Sequence, residues 1–190
     1  GYSVSQQYLM AGVLTALFGL MQFIAAPLLG ELSDVYGRKR LLTLGIGVLA
    51  LSQLLFGLGV EIGSLALLFF SRAVAGLAGG NFSIAQASIA DVTEPKDRAK
   101  NFGLIGAAFG LGFILGPILG GWTAHFFGSA APFWGAAILG VLNVISVSLF
   151  LPETHRQRRT SHDFHPLKGI QNILAAWRDK DARPVYLSSF

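Results

Sequence analysis

The sequence predicts an all-α membrane protein, a polytopic bundle of spanning helices, and three observations carry that reading. Hydrophobic residues make up 53% of the 190 positions and charged residues only 13%, about half the charge usual in a soluble domain. The charges gather in short clusters between long apolar runs, as they must in a chain that crosses hydrocarbon where no water can meet a charge. Five runs reach the roughly 20 residues a spanning helix needs: about 8–32, 41–60, 65–90, 102–124 and 132–151.

The joins between these runs are of two kinds. Those after the first, third and fifth runs hold Arg38, Lys39 and Arg40, then Lys96, Arg98 and Lys100, then Arg156, Arg158 and Arg159 with the tail beyond. The other joins and the leading segment hold no Lys or Arg, so 13 of the 14 basic residues fall on one side, and Arg72 lies within a run. The positive-inside rule makes the loaded side cytoplasmic. It also accounts for the net charge of +4 without a nucleic acid partner. The amino end is then outside, and the chain opens on Gly1 with no signal-peptide pattern. The expectation is therefore a fragment boundary, with a further helix upstream completing a six-helix unit whose bundle occupies 1–154. Past Pro152 the chain turns polar, and Leu167, Ile170, Ile173, Leu174 and Trp177 recur at helical spacing. This predicts an amphipathic helix in a cytoplasmic loop over 155–183, with 184–190 beginning another span.

Along the first helix, Gln22 shares a stripe with Thr15, Gly19 and Ala26, which makes it a candidate for a substrate path or for an interhelical hydrogen bond. The join that follows concentrates chemistry. Gly30 permits a close helix approach, and Gly37 can take the positive φ of a sharp turn. Asp34 can accept hydrogen bonds at the positive end of a helix, and Arg38 offers donors to a carboxylate. A charged turn obeying the positive-inside rule is the plainer reading of any one of these residues.

The second helix carries Ser52 and Gln53, the fifth Asn143 and Ser146, and each is open to the same two readings as Gln22. In the third helix, Arg72, Gly76, Gly79, Ser83, Gln86 and Ala90 fall on one narrow stripe at about 100° per residue. A cation there costs about 2.5–3.5 kcal/mol on insertion scales, so Arg72 should face a wet cavity or a partner, while the glycines serve either the cavity or packing. In the fourth helix, Gly112, Gly116 and Gly120 are spaced by four, a smooth groove for another backbone. Pro117 removes the amide bond to the Phe113 carbonyl and should kink the helix. Residues 27–32 and 117–122 share three identities in six. Placed three helices apart, they point oppositely across the bilayer, as inverted repeats do.

Taken in order, residues 30–40, 72–80, 112–121 and the close 151–154 resemble the signature motifs of the major facilitator superfamily, over about 1–155. The glycine and proline pattern of 112–121 resembles its drug/proton antiporters, tetracycline exporters among them. The resemblance implies the N-terminal half of that fold without its first helix, in a bacterial-type cytoplasmic membrane, rocking against a C-terminal half. It implies a conformational gate of Gly30, Asp34, Gly37, Arg38 and Asp91, with an Arg38–Asp91 ion pair. Arg72 would serve proton coupling, Gly112, Gly116, Pro117, Gly120 and Gly121 an antiporter hinge, and Gln22, Gln53, Ser83 and Gln86 a substrate path. The partners implied are a lipophilic or amphiphilic small molecule, protons and the bilayer. The coupling carboxylate is expected on the first helix or in the other half. One departure stands out: tetracycline exporters carry an intramembrane acid near Ser52, which is neutral here.

No nucleotide loop, hydrolase triad or metal cluster is present, cysteine is absent, and His125, His155, His162 and His165 lie near or beyond helix ends. An enzyme is not predicted, nor is any cofactor or metal. A proton symporter for a metabolite and a non-transporting scaffold or receptor are the competing readings.

Overall fold

In the computed structural model, residues 3–154 are described, and all of their regular structure is helical. The expected amphipathic helix of the loop and the start of a further span lie outside the described residues. The first helix, α1 (Val4–Tyr36), opens with a capping box in which the Ser3 hydroxyl accepts from the Gln6 amide and the Gln6 side chain accepts from the Ser3 amide. At about 1.5 Å per residue its 33 residues outrun a hydrocarbon core of about 30 Å. That is why it extends past the apolar run on both sides. Gly37 ends it at φ 97°, a conformation that favours glycine. α2 (Arg38–Glu61) begins on the next residue.

The return is made at Gly63, φ 68°, and the Ser64 hydroxyl accepts from the Leu67 amide to cap α3 (Leu65–Ala78). The sequence predicts one helix over 65–90, but the crossing is built from two, α3 and α4 (Asn81–Val92). Gly79 and Gly80 have ψ of −13° and −5°, flatter than an α-helix requires, and the Gly79 amide donates to Gly76 O at 2.9 Å. Adjacent glycines lower the cost of the break, since both are poor helix formers. A 3-10 turn (Pro95–Asp97) leads into α5 (Arg98–Phe127), which stays one α-helix across Pro117. Gly128 at φ 92° turns the chain into α6 (Ala131–Phe150).

Five crossings result, the third being α3 and α4 in series, and glycines bring them together. A Cβ at Gly76 would lie 2.6 Å from the Phe18 carbonyl oxygen of α1. One at Gly80 would lie 2.7 Å from Leu29 Cδ1, also of α1. α2 meets α6 at Gly140, where a Cβ would come within 2.7 Å of Ala50 Cβ, and at Phe56, whose ring centroid is 4.5 Å from that of Phe133. α2 meets α3 where Gly59 receives Leu68. Small residues of this kind let membrane helices gain dispersion contact along their backbones, because lipid supplies no hydrophobic drive between them.

α5 is loosely packed, against α6 and, through Phe82 and Phe109 with ring centroids 5.0 Å apart, against α4, and none of its residues is buried. Large apolar side chains such as Phe23 and Phe113 are almost fully exposed, which suits a lipid solvent and would be untenable in water.

The glycine contacts make a measurable demand. Replacing Gly76 with Val drives two methyls against the Phe18 backbone, and overpacking of this kind costs about 1–3 kcal/mol. Thermal unfolding of the full-length protein in detergent should show a clear loss for Gly76→Val. Gly12→Val, where nothing lies within 4 Å, should leave the midpoint nearly unchanged.

Candidate functional site

The join between α1 and α2 gathers charge from three helices. Arg38, the first residue of α2, has a side chain only 10% exposed. Its Nη2 lies 3.1 Å from Asp34 Oδ1 on α1, and its Nε lies 2.5 Å from Asp91 Oδ2 on α4. A guanidinium's fork allows it to serve two carboxylates at once. Gly37 supplies the turn that makes this possible: its left-handed backbone reverses the chain within one residue, so Asp34 and Arg38 face each other four positions apart.

A third acid enters from beyond α6. Glu153 Oε1 accepts a 2.9 Å hydrogen bond from the Arg38 amide. That amide belongs to the first turn of a helix whose N-cap, Gly37, has no side chain to offer, so Glu153 caps α2 from another part of the chain. Its negative charge also meets the positive end of the helix. From sequence, 151–154 reads only as the close of a span; an acid directly after a helix end is the signal available there. Among the described residues nothing lies within 4 Å of a Cβ built at Gly30. Asp34 meets the first residue of α2, Arg38, through its guanidinium.

Arg72 on α3 is half-buried, with its guanidinium carbon 4.2 Å from the centroid of the Phe56 ring on α2. A desolvated cation–π contact is worth about 2 kcal/mol, which offsets much of the insertion cost. The glycines that follow do not extend this into a wet stripe. Gly76, Gly79 and Gly80 are pressed against α1, because close backbone approach is what a missing Cβ permits.

Gln22 lies in this same interface: its Nε2 donates to Gly79 O at 3.3 Å, supplying a partner to a carbonyl at the helix break. Ser83 turns its hydroxyl to the Gly80 carbonyl at 2.7 Å, and Gln86 is half-buried on α4. Gln53 belongs elsewhere, in a cleft of about 390 Å³ among α2, α4 and α6 that also holds Asn81 and Asn143. Ser52 is buried and bonds back to the Leu49 carbonyl of its own helix at 2.7 Å.

The groove of α5 is present but receives no other backbone among the described residues: nothing lies within 4 Å of a Cβ built at Gly112, Gly116, Gly120 or Gly121. Gly112, Phe113 and Pro117, with Ala108 and Phe109, line an open apolar hollow of about 460 Å³. Among the described residues, no group of three or more His, Asp or Glu could hold a metal.

The Arg38 cluster makes its own prediction. Arg38→Asp and Asp91→Arg should each lower the thermal unfolding midpoint of the full-length protein in detergent, and the double exchange should recover part of the loss. Partly exposed ion pairs contribute about 1 kcal/mol or less, so each single exchange should lower the midpoint only modestly, and a loss with no recovery in the double exchange would argue against the pair.

Comparison with known proteins extends the picture. The Major Facilitator Superfamily profile matches residues 1–190. The chain is 37% identical to the class C tetracycline resistance protein of Escherichia coli over 83% of this chain and 38% of that protein. It is 35% identical to multidrug resistance protein 2 of Bacillus subtilis over 94% of this chain and 44% of that one. The crystal structure of the human organic anion transporter MFSD10 (TETRAN) superimposes with a TM-score of 0.71 at 32% identity, covering 82% of this chain and 35% of that one. The chain thus spans less than half the length of these relatives. A charged turn locked between helices, glycine-packed spans and a match across every residue agree: this chain belongs to the Major Facilitator Superfamily of membrane transporters, and it is not an enzyme.

Proposed function

We propose that this segment works as one half of a proton-coupled exporter, moving a lipophilic or amphiphilic small molecule out of the cytoplasm by alternating access. The observation that carries the reading is Arg38, held by carboxylates from α1 and α4 while the end of α6 caps its helix. A cluster of this kind ties separate helices together at one membrane face and can be broken and remade as a unit, which is what a cytoplasmic gate must do. Gly30 and Gly37 flank it in the same join. Relatives named as tetracycline and multidrug resistance proteins favour export of a drug-like molecule. The neutral Ser52 argues against assuming tetracycline itself.

The rest of the machinery is part of the same proposal. Arg72 lies inside a span and away from its ends, and its charge biases the protonation of whichever carboxylate couples proton entry to export. The open glycine face of α5, from Gly112 through Pro117 to Gly121, is the surface along which the C-terminal half slides, and Pro117 is where α5 yields. Gln86 and Ser83 on α4 are the polar groups nearest a substrate path. The basic joins face the cytoplasm of a bacterial-type cell.

Everted vesicles carrying the full-length protein test this directly. Substrate uptake into them should need an imposed proton gradient and collapse when a protonophore removes it; uptake indifferent to the gradient would eliminate coupled export. Arg72→Lys, which keeps the charge over Phe56, should retain transport within a few fold. Arg72→Leu, which abolishes the cation–π interaction, should lower coupled transport by about thirtyfold, the rate equivalent of its roughly 2 kcal/mol.

A further inference from the structure

Phe56 lies where three crossings meet. It is buried on α2, the Arg72 guanidinium carbon of α3 stands 4.2 Å from its ring centroid, and the Phe133 ring of α6 is centred 4.5 Å away. Two glycines that follow it in α2 draw these partners in. A Cβ at Gly57 would lie 3.3 Å from Phe133 Cβ, so α6 closes on α2 beside the ring. A Cβ at Gly59 would lie 2.8 Å from Leu68 Cδ2. Leu68 precedes Arg72 by one turn on the same face of α3, so the approach that seats Leu68 also brings Arg72 over Phe56. Both ring contacts are made within the described bundle, and neither depends on a surface being open.

Arg72 needs such a contact. It follows Leu65, the first residue of α3, by seven positions, roughly 10 Å at 1.5 Å per residue. Helical side chains lean toward the helix N-terminus, and one as long as arginine's can snorkel from that depth back to the membrane surface. A cation that does so no longer acts at a fixed point. We propose that Phe56 is the positioning residue for Arg72: the negative face of its ring holds the guanidinium within the crossing, and Phe133 holds the ring, so that α2 and α6 together fix where the charge stands. This rests on the part proposed for Arg72 in proton coupling and adds what keeps that charge in place. An aliphatic side chain would fill the same space but offer the cation nothing, so the electrons of the ring are the property that matters.

Fluorination separates filling space from holding charge, since it draws electrons off the ring face while leaving the ring's shape nearly unchanged. Phenylalanine carrying one, two or three ring fluorines is incorporated in place of Phe56 in the full-length protein, and in place of Phe133 as a control. Everted vesicles report gradient-driven uptake of tetracycline, ethidium and Hoechst 33342, and thermal unfolding in detergent reports stability. Along the Phe56 series uptake should fall by about threefold per fluorine, towards the roughly thirtyfold loss expected when the whole contact is removed. Along the Phe133 series it should change by less than about twofold, because that ring supports Phe56 by its shape.

The unfolding midpoint should fall along the Phe56 series when Arg72 is present and hold constant along it in Arg72→Leu, the mark of a direct pair. The fluorinated rings keep the native shape, so the test does not hang on a variant that fails to fold. Uptake unmoved by fluorination of Phe56 would overturn the proposal and leave coupled export standing. So would an equal decline along the Phe133 series, or an equal fall of the midpoint in Arg72→Leu. Uptake of none of the three compounds by the unsubstituted protein, or uptake indifferent to the gradient, would overturn the export reading and this inference with it.

Discussion

The contact on which this arrangement turns is the one between α1 and the broken third crossing. Hydrocarbon offers a backbone carbonyl no partner except protein, so a helix can be interrupted there only where something else takes over. The Gln22 amide of α1 does so by donating to Gly79 O, and Gly76 and Gly80 allow α1 close enough to deliver it. Substitute bulk at these glycines and the amide no longer reaches; remove the amide and the interruption loses a partner. The break in turn sets the start of α4, and with it the positions of Asn81 near the middle of the crossing and of Asp91 at its end.

Asp91 carries that geometry to the membrane surface. Arg38 is held there by side chains from α1 and α4 while its amide is held by Glu153. None of these interactions is large, and exposed ion pairs in general contribute about 1 kcal/mol or less. Their value comes from convergence. The elements that end or begin at this point belong to different parts of the bundle, so the cluster opens or closes only if they move together. A group of weak contacts that must break in concert suits a gate better than a single strong bond, which would hold one state too firmly for turnover.

α5 presents the opposite case. Its glycines approach nothing among the described residues, and no residue of the helix is buried. A small-residue face has a use only against another backbone, and this one fits the proposed sliding surface for the second half of the transporter. The glycines of α3 are filled by α1, while those of α5 are open among the described residues, and that contrast is what the proposed sliding surface rests on.

Much of this is legible in the sequence. Membrane residence, the all-α class and the five crossings follow from composition and run length alone, because the hydrophobic span a bilayer demands is a property of the chain and needs no contacts to define it. Gly37 as a left-handed turn, and Arg38 as a partner for an acid, can also be read, since both are local or carried by motif. The split of the third crossing, the use of the Arg72 stripe for packing against α1, the reach of Glu153 to the Arg38 amide and the meeting of Arg72 with Phe56 cannot. Helical periodicity tells which residues share a face, but it does not say whether that face meets water, lipid or another helix. Only the fold brings residues 38 and 153, or 56 and 72, to the same place, and there the partner each side chain meets decides what it does.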